Sequence, residues 1–167
     1  MHLLILLRHA KAVRPHEAPD DRARSLTDRG RREAAEAGAA IAALGVAPAV
    51  GLVSPAARTR ETWDLASAAM PWKPQTTVVD ALYGAAPDTI WNEARAAGAD
   101  GVIVVGHNPG LAELAAHLVR EAHARSKAAQ SLLHHLATSG FAAFELIGET
   151  LRAPGPKLIG WGRLRED

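Results

Sequence analysis

Apolar residues along this chain fall into short continuous blocks rather than into long alternating stretches. Residues 3–7 (Leu-Leu-Ile-Leu-Leu), 50–53 and 101–105 are such blocks, too short for helices, and they read as strands covered on both faces, as in the interior of a parallel sheet. A further short strand is predicted over 76–79. Between the strands the spacing changes to a helical one. Ala34, Ala37, Ile41 and Leu44 form one stripe, with Thr27 placed to cap the helix start and Gly45 just past its end. A second helix is predicted after Ser54, with Ser54 as its cap and Pro55 in the first turn. A third is predicted over 89–97, and residues 111–135 read as one long helix or two, with Leu111, Leu114, Ala115 and Leu118 on one face. The chain closes with a strand over 141–147 and a hairpin through Gly148 and Pro156 that returns as 157–161, a pair that includes a sheet edge. Four strands alternating with helices, followed by such a pair, predict a three-layer α/β/α sandwich whose sheet is mostly parallel with an antiparallel edge.

Composition narrows this picture without redrawing it. A length of 167 residues suits a single domain spanning 1–167. Nineteen basic against eighteen acidic residues leave a formal net charge of +1, which supplies no overall field to draw in nucleic acid or an anionic membrane, so any anion site must be local. The absence of cysteine excludes disulfides, thiolate metal centres and a cysteine nucleophile, and fits a reducing compartment. The N-terminal apolar run is too short to span a bilayer and lacks a basic leader, so a cytoplasmic protein is expected.

The candidate chemistry sits where the predicted strands end. In open α/β sheets ligands bind beyond the carboxyl ends of the strands, and there the first strand runs into Arg8, His9 and Lys11. A forked guanidinium beside an imidazole suits a phosphoryl group. Arg58, four residues past Ser54, adds a second guanidinium at the start of a helix, whose N–H groups also favour an anion. The fourth strand repeats the pattern, ending in Gly106-His107-Asn108-Pro109-Gly110. Asp80 and Asp88, after the third strand, are candidate proton donors. Residues 13–25 carry two prolines and no apolar period, and are expected to form a loop over this end, from which His16 could reach a substrate. Arg60, His117 and His123 read as surface residues.

Leu7-Arg8-His9-Ala10, Leu26-Thr27-Asp28-Arg29-Gly30, Ser54-Pro55-Ala56-Ala57-Arg58-Thr59-Arg60-Glu61-Thr62 and Val105-Gly106-His107-Asn108-Pro109, taken in this order, resemble the motifs of the histidine phosphatase superfamily, also called the phosphoglycerate mutase-like fold. The likeness spans almost the whole chain. Its short length, the Gly-His-Asn-Pro-Gly turn and the Thr138-Ser139-Gly140 turn are most similar to SixA-type phosphohistidine phosphatases. The resemblance implies that His9 is the nucleophile that becomes phosphorylated and that Arg8, Arg58 and His107 line the phosphate pocket; Lys11, Thr138 and Ser139 are further candidate substrate contacts. Two departures stand out. Many relatives carry a glutamate acid after the third strand, where this chain offers Asp80, the nearer match, or Asp88. The glycine that usually follows the histidine is Ala10.

No metal is expected, because the remaining histidines show no His-Glu-x-x-His spacing. No nucleotide cofactor is expected, because neither a Gly-x-Gly-x-x-Gly nor a Gly-Lys-Ser/Thr run is present. The expected substrate is phosphohistidine on a protein. A small phosphomonoester, or phosphate binding without turnover, are the alternatives.

Overall fold

The computed structural model describes residues 1–146 and 155–163. Six strands, β1 (Leu3–Arg8), β2 (Val50–Val53), β3 (Gln75–Val78), β4 (Gly101–Gly106), β5 (Phe141–Glu145) and β6 (Lys157–Gly162), form one sheet in the order β3-β2-β4-β1-β5-β6. The first four are mutually parallel, while β5 runs antiparallel to β1 and β6 antiparallel to β5. The expected mostly parallel sheet with an antiparallel edge is therefore present.

The continuous apolar blocks are explained by what lies on each face. Along β1, Leu4 and Leu6 point into one core with Val102, Val104 and Phe144, closed by Ile90, Leu114, Leu118 and Leu132. Ile5 and Leu7 point into the other, with Ile103, Val105 and Phe141 against Ile41 and Trp63. Both layers of helices remove apolar area from water, so neither face of the central strands has room for a polar residue. The helices are α1 (Asp28–Ala42) and α2 (Ala57–Ala68) on one side, with α3 (Pro87–Ala96), α4 (Gly110–Glu121) and α5 (Lys127–Leu132) on the other. Thr27 caps α1 as its sequence position predicts, accepting a hydrogen bond from the Gly30 amide.

Of the two readings of residues 111–135 the second holds, while the expectations for the third strand and for Ser54 differ. The 111–135 segment is two helices: His123 takes a left-handed φ of 48° and ends the first run, and Ser126 caps the second. Strand β3 begins at Gln75, and all four of its residues are exposed because it is a sheet edge. Ser54 does not cap α2. Its amide continues the sheet by donating to the Val105 carbonyl, and the helix starts only after Ala56, with Thr59 Oγ1 donating to the Ser54 and Ala56 carbonyls. The predicted hairpin turn at Gly148, and Ile147 of the predicted strand, lie outside the described residues.

Candidate active site

The parallel strands end together, and their ends set the position of each side chain. Arg8 is the last residue of β1, opposite Gly106 of β4. His9 follows, its amide donating to the Gly106 carbonyl at 3.1 Å while its own carbonyl accepts from the Ser139 amide at 3.1 Å. The next amide, of Ala10, donates to Thr62 Oγ1 of α2 at 2.9 Å. The segment carrying His9 is thus fixed by β4, by the 138–140 turn and by α2, three elements distant in sequence.

Its ring is fixed as well. The Ala10 carbonyl can only accept, so His9 Nδ1 carries the proton and donates at 2.8 Å. That tautomer leaves the Nε2 lone pair available, and Nε2 takes no hydrogen bond among the described residues. Burial, with the nearby His107, Arg58 and Arg8 charges, lowers the pKa of His9 to about 3. The ring is neutral at any ordinary pH.

His107 follows β4, its ring centroid 5.3 Å from that of His9. Arg58 Nη2 lies 3.3 Å from His107 Nδ1. A guanidinium can only donate, so Nδ1 accepts, and the Nε2–H donates to Ser54 Oγ at 2.7 Å. Burial and the Arg58 charge lower the pKa of His107 to about 4. Arg8 Nη1 donates to the Leu136 carbonyl at 2.9 Å, which also accepts from Asn108 Nδ2 at 2.9 Å. This ties the β1 and β4 ends to the segment after α5.

Arg58, only 5% exposed, meets a group that the motifs do not mark. Its Nη1 donates to the Asp21 carbonyl at 2.5 Å and its Nη2 to Asp21 Oδ2 at 2.9 Å. Tyr83 O–H donates to the same Oδ2 at 2.6 Å, and Arg24 Nη1 reaches Oδ1 at 2.9 Å. These bonds, Tyr83's first, hold the Asp21 carboxyl well below the usual carboxylate range and push the Tyr83 hydroxyl up. The Tyr83 ring packs edge-on against His107 at 5.4 Å, and the Arg22 guanidinium lies over the Tyr83 ring at 4.4 Å from its centre. Residues 13–25 therefore do fold over this end of the sheet, as expected.

The structure brings Arg8, His9, Arg58 and His107 together. Ser54, expected only as a helix cap, joins them, as do Asp21 and Tyr83, which were not singled out. A serine directly after an apolar strand was the available signal for Ser54, whereas an aspartate in a polar loop carries none. Lys11, His16, Asp80 and Asp88 are exposed; the Asp80 carboxylate makes no hydrogen bond or ion pair among the described residues. Thr138 and Ser139 are buried, and Ser139 Oγ is closed off from solvent. Arg60, His117 and His123 are exposed, as expected. The helix start offers less to an anion than its sequence suggests, because the Ala57 amide is taken by the Arg22 carbonyl at 2.8 Å.

Comparison with known proteins bears on this arrangement. Residues 4–86 match the family model of the histidine phosphatase superfamily, branch 1. Rv1276c, an uncharacterized protein of Mycobacterium tuberculosis, is 34% identical over 145 residues, covering 85% of this chain and 88% of its own. A candidate phosphohistidine phosphatase SixA from Nakamurella multipartitia superposes with a TM-score of 0.78 at 34% identity, over 97% of this chain and 95% of that one. Another from Agrobacterium tumefaciens gives 0.81 at 26% identity, over 97% of both chains.

Proposed function

We propose, since the chain belongs to the histidine phosphatase superfamily, that this phosphatase hydrolyses phosphohistidine on a protein through a covalent intermediate on His9. The observation that carries the reading is the state of His9: its Nδ1–H is held by the Ala10 carbonyl, which leaves Nε2 unprotonated, and its ring lies 5.3 Å from that of His107, which Arg58 contacts.

In the first step Nε2 attacks phosphorus, and the N–P bond of the substrate, whose ring has taken a proton from solvent on its other nitrogen, breaks so that it leaves as a neutral imidazole. In the second, water attacks phospho-His9, releasing inorganic phosphate and restoring the neutral ring. Splitting one displacement into two lowers each barrier. In such transfers catalysis is mainly positioning and charge stabilisation, which Arg8, Arg58 and His107 supply without a metal; turnover is expected to be unchanged by a chelator. Lys11 is assigned to incoming phosphate from the rim. Thr138 and Ser139 border the same segment, the Ser139 amide holding the His9 carbonyl.

A phosphohistidine substrate is supported by the acids. Asp21 is held ionised by three donors, and Asp80 and Asp88 stand exposed. An imidazole leaving group needs less help from an acid than an alkoxide does. Asp80 is assigned to proton donation for the slower phosphomonoesters. The two enzyme readings part in a substrate panel of a phosphohistidine-bearing protein and small phosphomonoesters, with rapid-quench trapping of acid-labile phosphoenzyme. Multiple turnovers favouring the protein, and loss of both turnover and phosphoenzyme in a folded His9→Ala variant, are expected. Normal rates in that variant would overturn the mechanism.

A further inference from the structure

A guanidinium has five N–H groups, and those of Arg58 are unequally committed. One Nη1–H goes to the Asp21 carbonyl, and the Nη2 pair go to Asp21 Oδ2 and His107 Nδ1. The buried Nε–H has no partner. The gripping residue is itself gripped. Asp21 Oδ2 accepts from Tyr83, Oδ1 accepts from Arg24, Arg24 Nε is anchored on the Val13 carbonyl at 2.9 Å, and the neighbouring Arg22 carbonyl receives the Ala57 amide. An exposed carboxylate paired with a single cation is loosely held. This one, with half its side chain exposed, is fixed from the first loop, from the segment after β3 and from α2.

We propose that Asp21 is a positioning residue of the phosphatase reaction: its carbonyl and carboxylate hold the far end of the Arg58 guanidinium, so that the buried Nε–H, which has no partner, faces the phosphoryl group between His9 and His107. Tyr83 acts through Asp21 in the same way. The inference rests on the reading of Arg58 as a phosphate contact. Its rival is a latch, in which the Asp21 carboxylate occupies the arginine in place of phosphate and must be displaced.

Steady-state kinetics on p-nitrophenyl phosphate and on a phosphohistidine-bearing protein, with orthovanadate inhibition, decide the matter. Asp21→Ala is expected to lower kcat by about 10- to 100-fold, in line with the loss of an outer-shell partner. KM should move by less than about 3-fold, because an arginine that serves the transition state affects kcat first. Asp21→Asn can keep an oxygen for both Arg58 and Tyr83 and should recover to within about 5-fold of wild type. Tyr83→Phe, which removes only the hydroxyl, should cost about 3- to 10-fold, and the Asp21→Ala/Tyr83→Phe pair should be no worse than Asp21→Ala alone. Tyr83→Phe keeps the test intact if Asp21→Ala fails to fold. Unchanged kcat in folded Asp21→Ala, or tighter orthovanadate binding and faster turnover, would overturn the proposal, the latter in favour of the latch. Arg58→Ala separates the two levels. If it is fully active, the reading of Arg58 fails; if it is inactive while Asp21→Ala is normal, only the role of Asp21 fails.

Discussion

Lowering the pH of the empty enzyme from about 7.5 to about 4.5 perturbs His9 in a way that the structure makes quantitative. In the folded protein its pKa is lowered to about 3, first by burial and then by the His107, Arg58 and Arg8 charges. In the unfolded chain the same ring takes up a proton near 6.5. Between those two values the unfolded state binds the extra proton, so stability falls as pH drops below 6.5 and levels off below about 3. At about 1.36 kcal/mol per pH unit, His9 alone should remove about 2.5 kcal/mol by pH 4.5, a large share of a typical domain's net stability. His107, lowered to about 4 by burial and Arg58, acts in the same direction. The effect of His9 is isolated by urea unfolding of wild type and His9→Gln at both pH values and equal ionic strength, since His107 and the carboxylates are common to both. The variant should gain about 2.5 kcal/mol relative to wild type at the lower pH. Curves parallel to within about 0.5 kcal/mol would show that His9 is not held neutral in the folded state, and the account of the nucleophile would go with it.

Three further outcomes are expected. Ser54→Ala strips the buried Nε2–H of His107 of its acceptor, which should cost about 1–3 kcal/mol in thermal or urea unfolding and about 10-fold in kcat; unchanged stability would contradict the assigned tautomer. Asp80→Asn should slow p-nitrophenyl phosphate hydrolysis more than phosphohistidine hydrolysis, and equal effects on both, or none, would remove Asp80 from the reaction. Gly30→Ala places a Cβ against the Lys11 carbonyl, backbone that cannot step aside, and should lower stability by about 1–3 kcal/mol in urea unfolding; a neutral result would mean that α1 does not approach the Lys11 segment this closely.

The parts of this molecule legible in the sequence are those where burial dictates residue type. Leu4–Leu7 and Val102–Val105 are continuously apolar because helices cover both faces of β1 and β4, and that pattern located the strand ends and with them Arg8, His9 and His107. Thr27 was legible because a side-chain cap is a local interaction. Ser54 was misread for the complementary reason. A serine before a proline and a helix satisfies the local capping pattern, and only the fold reveals that its hydroxyl faces His107, 53 residues away just past the end of β4. Asp21 was illegible altogether. It lies in a polar loop, half exposed, and its partners Arg58 and Tyr83 stand 37 and 62 residues further on. No periodicity records a contact of that kind.

The same contacts explain how so many cationic groups can be gathered at one end of the sheet. Arg8 and Arg58 cannot give up their charge, so imidazoliums at His9 and His107 would place four cations side by side in a poorly solvated space. Burial resolves this at the histidines, whose pKa values fall to about 3 and about 4, and Asp21 offsets Arg58 from the solvent side. What relieves this repulsion also suits the proposed chemistry. A neutral His9 is the form that can attack phosphorus, and a neutral His107 can accept from Arg58 through Nδ1 and so keep the guanidinium at the pocket. Neutral imidazoles and the charge stabilisation of the proposed mechanism thus draw on a single arrangement of two arginines, two imidazoles and one loop carboxylate.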